Sequence, residues 1–307
     1  MPAFVSHYRF ASDVSAHARP EVAESISAAP SAFYLGAQGP DILFYHHSLF
    51  SSPISAVGHA MHSSRIARAF AAFVREAVRL NTPEAMSYLL GLCCHYALDS
   101  TVHPFVAYIS NQVLNPLYPT KSPSALHNLC ESELDRMVIE RSFGEDTARF
   151  RTPNLLELDS AAVDAASHMM ANTAWTVYGV RCKPAAVVGA LHGMKRSLSF
   201  LHDKNGRRAA QLAFADYITN SHGLYASLVR PIQPIPADCA NLSRSAWMDA
   251  EHPRMRRYDT YFDLMRTARQ TAYRLMEHCK HCAESGEPVN PKLFLLNYSG
   301  IRDEAAK

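Results

Sequence analysis

The chain has 307 residues, 48 % of them hydrophobic and 19 % charged, with 30 Lys and Arg against 28 Asp and Glu for a formal net charge of +2. This length and apolar content support a buried core and exclude a disordered polyelectrolyte, while the near-neutral balance counts against nucleic acid as a partner. Seven cysteines are an odd count, and Met1 to Phe10 lacks the charged head and apolar run of a secretory signal, so reduced thiols and a cytoplasmic location are expected.

Helical spacing dominates and no period-two strand pattern stands out, which predicts an all-α fold: a single compact multi-helix domain over residues 2–290 followed by a tail, 291–307. From Ser63 to Leu80, Ile66, Phe70, Phe73, Val74 and Val78 recur at helical spacing. The next helix opens on Thr82 as N-cap, Pro83 at the first helical position and Glu84 in the first turn, and is expected to stop near His103 because Pro104 disfavours helical geometry before it. Asn111 to Ser124, with Pro116, Pro119 and Pro123, reads as irregular, as does Pro231 to Ser243. Further helices are expected over 159–178, 184–202 and 259–282. The window from Met86 to Leu98 is too short to span a bilayer, so any lipid contact is expected to be peripheral.

The chemistry concentrates in two stretches. Residues four apart on an α-helix share a face, so His95 with Asp99, and His127 with Glu131, each present two metal ligands together. Imidazole nitrogen and carboxylate oxygen suit zinc, which lowers the pKa of bound water toward neutrality. His103 continues the face of His95 and Asp99, but about 12 Å of helix separates its two ends, which argues for two ions rather than one. Two other patterns carry less. His278, Cys279, His281 and Cys282 lack the second half of a structural zinc site and read as helix surface, and the adjacent His202 and Asp203 run straight into Lys204-Asn205-Gly206, a helix terminus.

Taken together, four segments resemble the zinc-dependent phospholipase C family, whose superfamily also contains single-strand-specific nucleases. They are Ser6-His7-Tyr8-Arg9-Phe10; Gly36 to Asp41 with Phe44 and Tyr45; His95 to Asp99 through His103-Pro104; and His127 to Glu131. The resemblance implies that Asp41, an upstream histidine, His95 and Asp99 hold one zinc, and that His103, His127 and Glu131 hold a second. For the upstream histidine His62 is favoured, with His59 as the alternative. The step from Asp99 to His103 is two residues shorter than in the secreted phospholipases, so the helix end there must differ. Those enzymes hold a third zinc partly through an N-terminal tryptophan. Here Pro2, exposed by removal of Met1, would take that part with His7 and Asp99. His46 and His47 are expected at the surface or orienting ligands, and Phe44, Tyr45 and Tyr96 in the core, with lining of a substrate pocket as the alternative. The implied activity is zinc-dependent hydrolysis of a phospholipid or other small phosphodiester by metal-activated water, with Asp41 as ligand or general base. The alternatives are a single-strand nuclease-like phosphodiesterase and a non-catalytic, metal-stabilised binding protein. The sequence leaves oligomeric state open.

Overall fold

The computed structural model describes residues 3–46, 52–249, 251 and 254–304. Among them the α-helices in chain order are α1 (Phe4–Ser15), α2 (Pro20–Ala28), α3 (Pro30–Gly36), α4 (Pro53–Ser63), α5 (Ile66–Leu80), α6 (Pro83–Tyr108), α7 (Asn115–Leu117), α8 (Pro123–Val138), α9 (Ser160–Tyr178), α10 (Pro184–Phe200), α11 (Arg207–Thr219) and α12 (Tyr261–Ser285). A 3-10 turn, Gly39–Tyr45, links α3 to α4. The strands described are β1 (Trp247–Met248) and β2 (Arg256–Arg257), paired antiparallel, so the all-α expectation holds. No described helix is long and apolar enough to cross a membrane.

The starts of these helices follow local chemistry. Thr82 Oγ1 accepts from the Ala85 amide, as the N-cap reading requires, and Asp159 caps α9 by accepting from the amides of Ala161 and Ala162. Two expectations based on proline need correction. α6 does not stop at His103 but runs through Pro104 to Tyr108 and on into a π-helical turn, Ile109–Leu114. An interior proline costs about 3 kcal/mol. Val102, Phe105, Val106 and Ile109 are all buried by the continuing helix, and burial of such side chains returns roughly 1.5–3 kcal/mol each, so packing wins. The supposedly irregular Asn111 to Ser124 is helical as far as Leu117, because Pro116 and Pro123 sit at helix starts, where a missing N–H costs nothing.

The chain divides into two compact units, each drawn from three stretches. The first comprises 1–9, 102–155 and 198–266. Its anchor is Asp135 on α8, whose carboxylate accepts from the backbone amides of Val5 and Ser6 and from the Ser6 hydroxyl, at 2.6–3.0 Å. Those amides are among the orphan donors at the start of α1, so α8 caps a helix 129 positions away. Burial pushes the Asp135 carboxyl up to about 6, against the pull of these donors and of Arg230. With the folded value above the unfolded one, the protonated form favours folding at low pH. Stability therefore falls as pH rises from about 4 to 6, by about 3 kcal/mol, and is level above. In Asp135→Asn this slope is expected to vanish, as read from urea midpoints of both proteins across that range; parallel profiles would refute the assignment.

The second unit comprises 10–101, 156–197 and 267–307. Here α3 and α6 cross with glycine facing glycine. A Cβ on Gly36 would lie 2.2 Å from the Tyr88 carbonyl oxygen, and one on Gly91 2.1 Å from that of Phe33. This backbone-on-backbone contact seats the Gly36 to Asp41 segment beside His95. Residues 294–303 also belong to this unit. Phe294 stacks on Phe70, the Tyr96 hydroxyl donates to the Leu296 carbonyl, and Asp303 accepts the Ile66 amide. That last bond explains why α5 begins at Ile66 rather than Ser63, behind a left-handed Arg65.

Candidate metal centres

The first cluster lies in the second unit. Asp41 from the 3-10 turn, His62 from α4 and His95 from α6 each offer a ligand atom, all within 4.8 Å of one another. Both rings are held by their other nitrogen: His62 Nδ1 lies 2.7 Å from the Gly58 carbonyl oxygen and His95 Nδ1 3.1 Å from that of Ala37. A carbonyl only accepts, so each Nδ1 carries the proton and each Nε2 presents its lone pair, the arrangement expected of metal-ligating histidine. His62 Nε2 and Asp41 Oδ1 stand 3.0 Å apart, an ion pair when the imidazole is protonated. With the imidazole neutral, the Nε2 lone pair and the carboxylate oxygen face each other, and a cation there would satisfy both. Asp99 Oδ2 lies 3.4 Å from His95 Nε2. Burial opposes charge on His62, but Asp41 and then Asp99 outweigh it and raise its pKa.

Local sequence explains the placement. Gly39 has φ +53°, and a Cβ there would fall 2.2 Å from His95 Cδ2, so only glycine lets the chain pass over the ring and deliver Asp41 to it. The two candidate upstream histidines separate cleanly. His62 reaches Asp41, whereas His59 is exposed and packs against Phe44, whose ring also leans on His62. Tyr298 was invisible to sequence reasoning. Its buried ring sits 4.8 Å from that of His62 and 5.5 Å from that of His95, and its amide donates to the His62 carbonyl.

The second cluster lies in the first unit. His103 from α6 and His127 and Glu131 from α8 again offer atoms within 4.8 Å. Glu131 Oε1 is 3.2 Å from His127 Nε2 and 3.4 Å from His103 Nε2, and its buried Oε2 has no hydrogen bond. Burial opposes ionisation of Glu131, but His127 and then His103 hold its carboxyl well below the usual range. The His127 side chain is 34 % exposed against 3 % for Glu131, so this cluster opens to solvent on the histidine side. Nitrogen and carboxylate oxygen donors in both clusters fit zinc.

The remaining expected positions are described singly. His7 is buried on α1, and Pro2 and His47 lie outside the described residues. His46 faces Ser52 at 3.3 Å. Tyr45 and Tyr96 are buried in the core, Tyr96 with its hydroxyl spent on Leu296. Cys279 and Cys282 are buried along α12, correcting the helix-surface reading. Nearby, His278 Nε2 accepts the Asn290 amide and His281 pairs with Glu287. Asp203 accepts the Asn205 and Ala209 amides at a helix terminus, as expected. No curated protein and no solved structure matches the chain. Residues 6–232, a span that contains every residue of both clusters, match the family model described as zinc dependent phospholipase C, and the chain belongs to that family.

Proposed function

We propose that the chain is a zinc-dependent phosphodiester hydrolase of the phospholipase C type, acting on a phospholipid or another small phosphodiester. Asp41, His62 and His95, with Asp99 beside them, would hold one zinc, and His103, His127 and Glu131 another. The observation that carries this reading is the convergence of His62 Nε2, His95 Nε2 and an Asp41 oxygen, with both rings held through Nδ1 by backbone carbonyls. Zinc supplies Lewis acidity there, lowering the pKa of water and balancing charge on the phosphoryl oxygens.

The chain's own residues do the rest. The Gly58 and Ala37 carbonyls hold the Nδ1 protons of His62 and His95, so each ring turns its Nε2 toward the site. Asp41 either completes this ligand set or orients the attacking water and takes its proton. Glu131 is an ionised donor throughout the neutral range, because the two imidazoles beside it favour its charge. The partly exposed His127 leaves a side from which a phosphate can approach.

Protein purified without chelator is expected to carry at least two zinc ions per chain by elemental analysis and to hydrolyse a phosphatidylcholine or nitrophenyl phosphodiester substrate. Glu131→Gln is expected to lose one equivalent of zinc and to slow hydrolysis about 100-fold or more. Substoichiometric metal unchanged in the variant would overturn the metal centres. Full zinc with no ester cleaved would overturn the enzymatic reading and leave a binding protein.

A further inference from the structure

α11 inverts the pattern of a surface helix. Among its 13 residues the one buried side chain is an acid, Asp216, while Phe214, Tyr217 and Ile218 are exposed by 64, 84 and 65 %. A helix of a water-soluble surface buries its apolar stripe and exposes its charges. Phe214 lies three and four residues before Tyr217 and Ile218, so the three occupy one outward face.

The charges around this face are sorted by sign. Asp216 is turned inward, accepting the amides of Tyr225 and Ala226, and Asp203 just ahead of the helix is likewise buried, accepting those of Asn205 and Ala209. Lys204 and Arg207 are exposed, and the Arg208 guanidinium lies 4.2 Å over the ring of the half-exposed Phe200. From 204 to 219 the outer surface therefore carries cations and no acid. Beyond the helix, Arg151 and Arg230 act with Lys204 on the His202 ring and outweigh Asp203 there. Exposed aromatic and aliphatic side chains beside a basic helix end complement one surface in particular, apolar below and anionic at its phosphates. A second copy of this helix offers the basic end no acid to pair with.

We propose that the outer face of α11 docks on an anionic phospholipid bilayer, with Phe214, Tyr217 and Ile218 entering the boundary between headgroups and acyl chains and Lys204, Arg207 and Arg208 meeting lipid phosphates. This goes beyond the hydrolase reading and does not depend on it, since docking is measured without turnover.

The test is co-sedimentation of the full chain with vesicles of phosphatidylcholine alone or mixed with phosphatidylglycerol. Wild type is expected to pellet with the anionic vesicles, less so as salt is raised. Arg207→Glu with Arg208→Glu is expected to weaken that binding at least about tenfold, from the loss of two basic contacts. Phe214→Ser with Tyr217→Ser and Ile218→Ser is expected to weaken it about tenfold or more. Tyr217→Trp should give a blue shift of tryptophan emission on anionic vesicles. These side chains are exposed, so thermal midpoints should stay near wild type, and the single Tyr217→Trp variant serves if the triple one misfolds. Wild type that ignores anionic vesicles, variants that bind equally well, or a dimer that the apolar substitutions abolish would each overturn the proposal. A chain that binds vesicles but cleaves no ester would sink the proposed function and leave the docking face standing.

Discussion

Asp41→Asn is expected to lower phosphodiester hydrolysis by about 100-fold to 10,000-fold with the fold intact, the range spanned by loss of a positioned proton acceptor. The substitution keeps the shape of the side chain and removes its charge. Asparagine offers one carbonyl oxygen and an amide that only donates, so the converging pair with His62 Nε2, 3.0 Å apart, loses its anionic half. Zinc content measured on the same preparation separates the two roles left open for Asp41. Zinc at the wild-type level with activity lost assigns it to the proton of the attacking water; zinc and activity lost together assign it to the metal. Wild-type activity would remove Asp41 from the machinery altogether.

Gly39→Ala is expected to destabilise the protein by about 3 kcal/mol or more and to lower zinc content, although the position touches no ion. A left-handed φ costs an alanine about 1–2 kcal/mol. The added methyl would also meet His95 at 2.2 Å from Cδ2, 2.5 Å from Cγ and 2.7 Å from Nε2. His95 is fully buried and tied to Ala37, so the ring cannot yield without moving its lone pair. Relief has to come from lifting the 3-10 turn, which carries Asp41 away with it. Denaturant midpoints and metal analysis check this together; an alanine variant with wild-type stability and zinc would refute the close approach.

What the sequence makes legible is local. Thr82-Pro83-Glu84 specifies a helix start because cap, proline and amides lie within four residues of one another. The His95/Asp99 and His127/Glu131 spacings are legible because the helical repeat alone makes each pair neighbours. Where a local rule competes with packing it fails, as at Pro104, whose four buried apolar neighbours decide the matter. His62 and His59 differ by less than one turn, and only the distant Asp41 distinguishes them. Asp135, Tyr298 and Asp303 leave no signal of any kind in their own surroundings, because each acts on a helix more than a hundred positions away.

The segment that packs over His62 and His95 has a consequence for how the protein is made. It is fastened by hydrogen bonds between residues 234 and 237 positions apart, from Asn297 to Ser63 and from Ile66 to Asp303. Contacts of such separation come late both in translation and in folding. A nascent chain thus carries the two histidines through most of its synthesis with their tyrosine roof not yet translated.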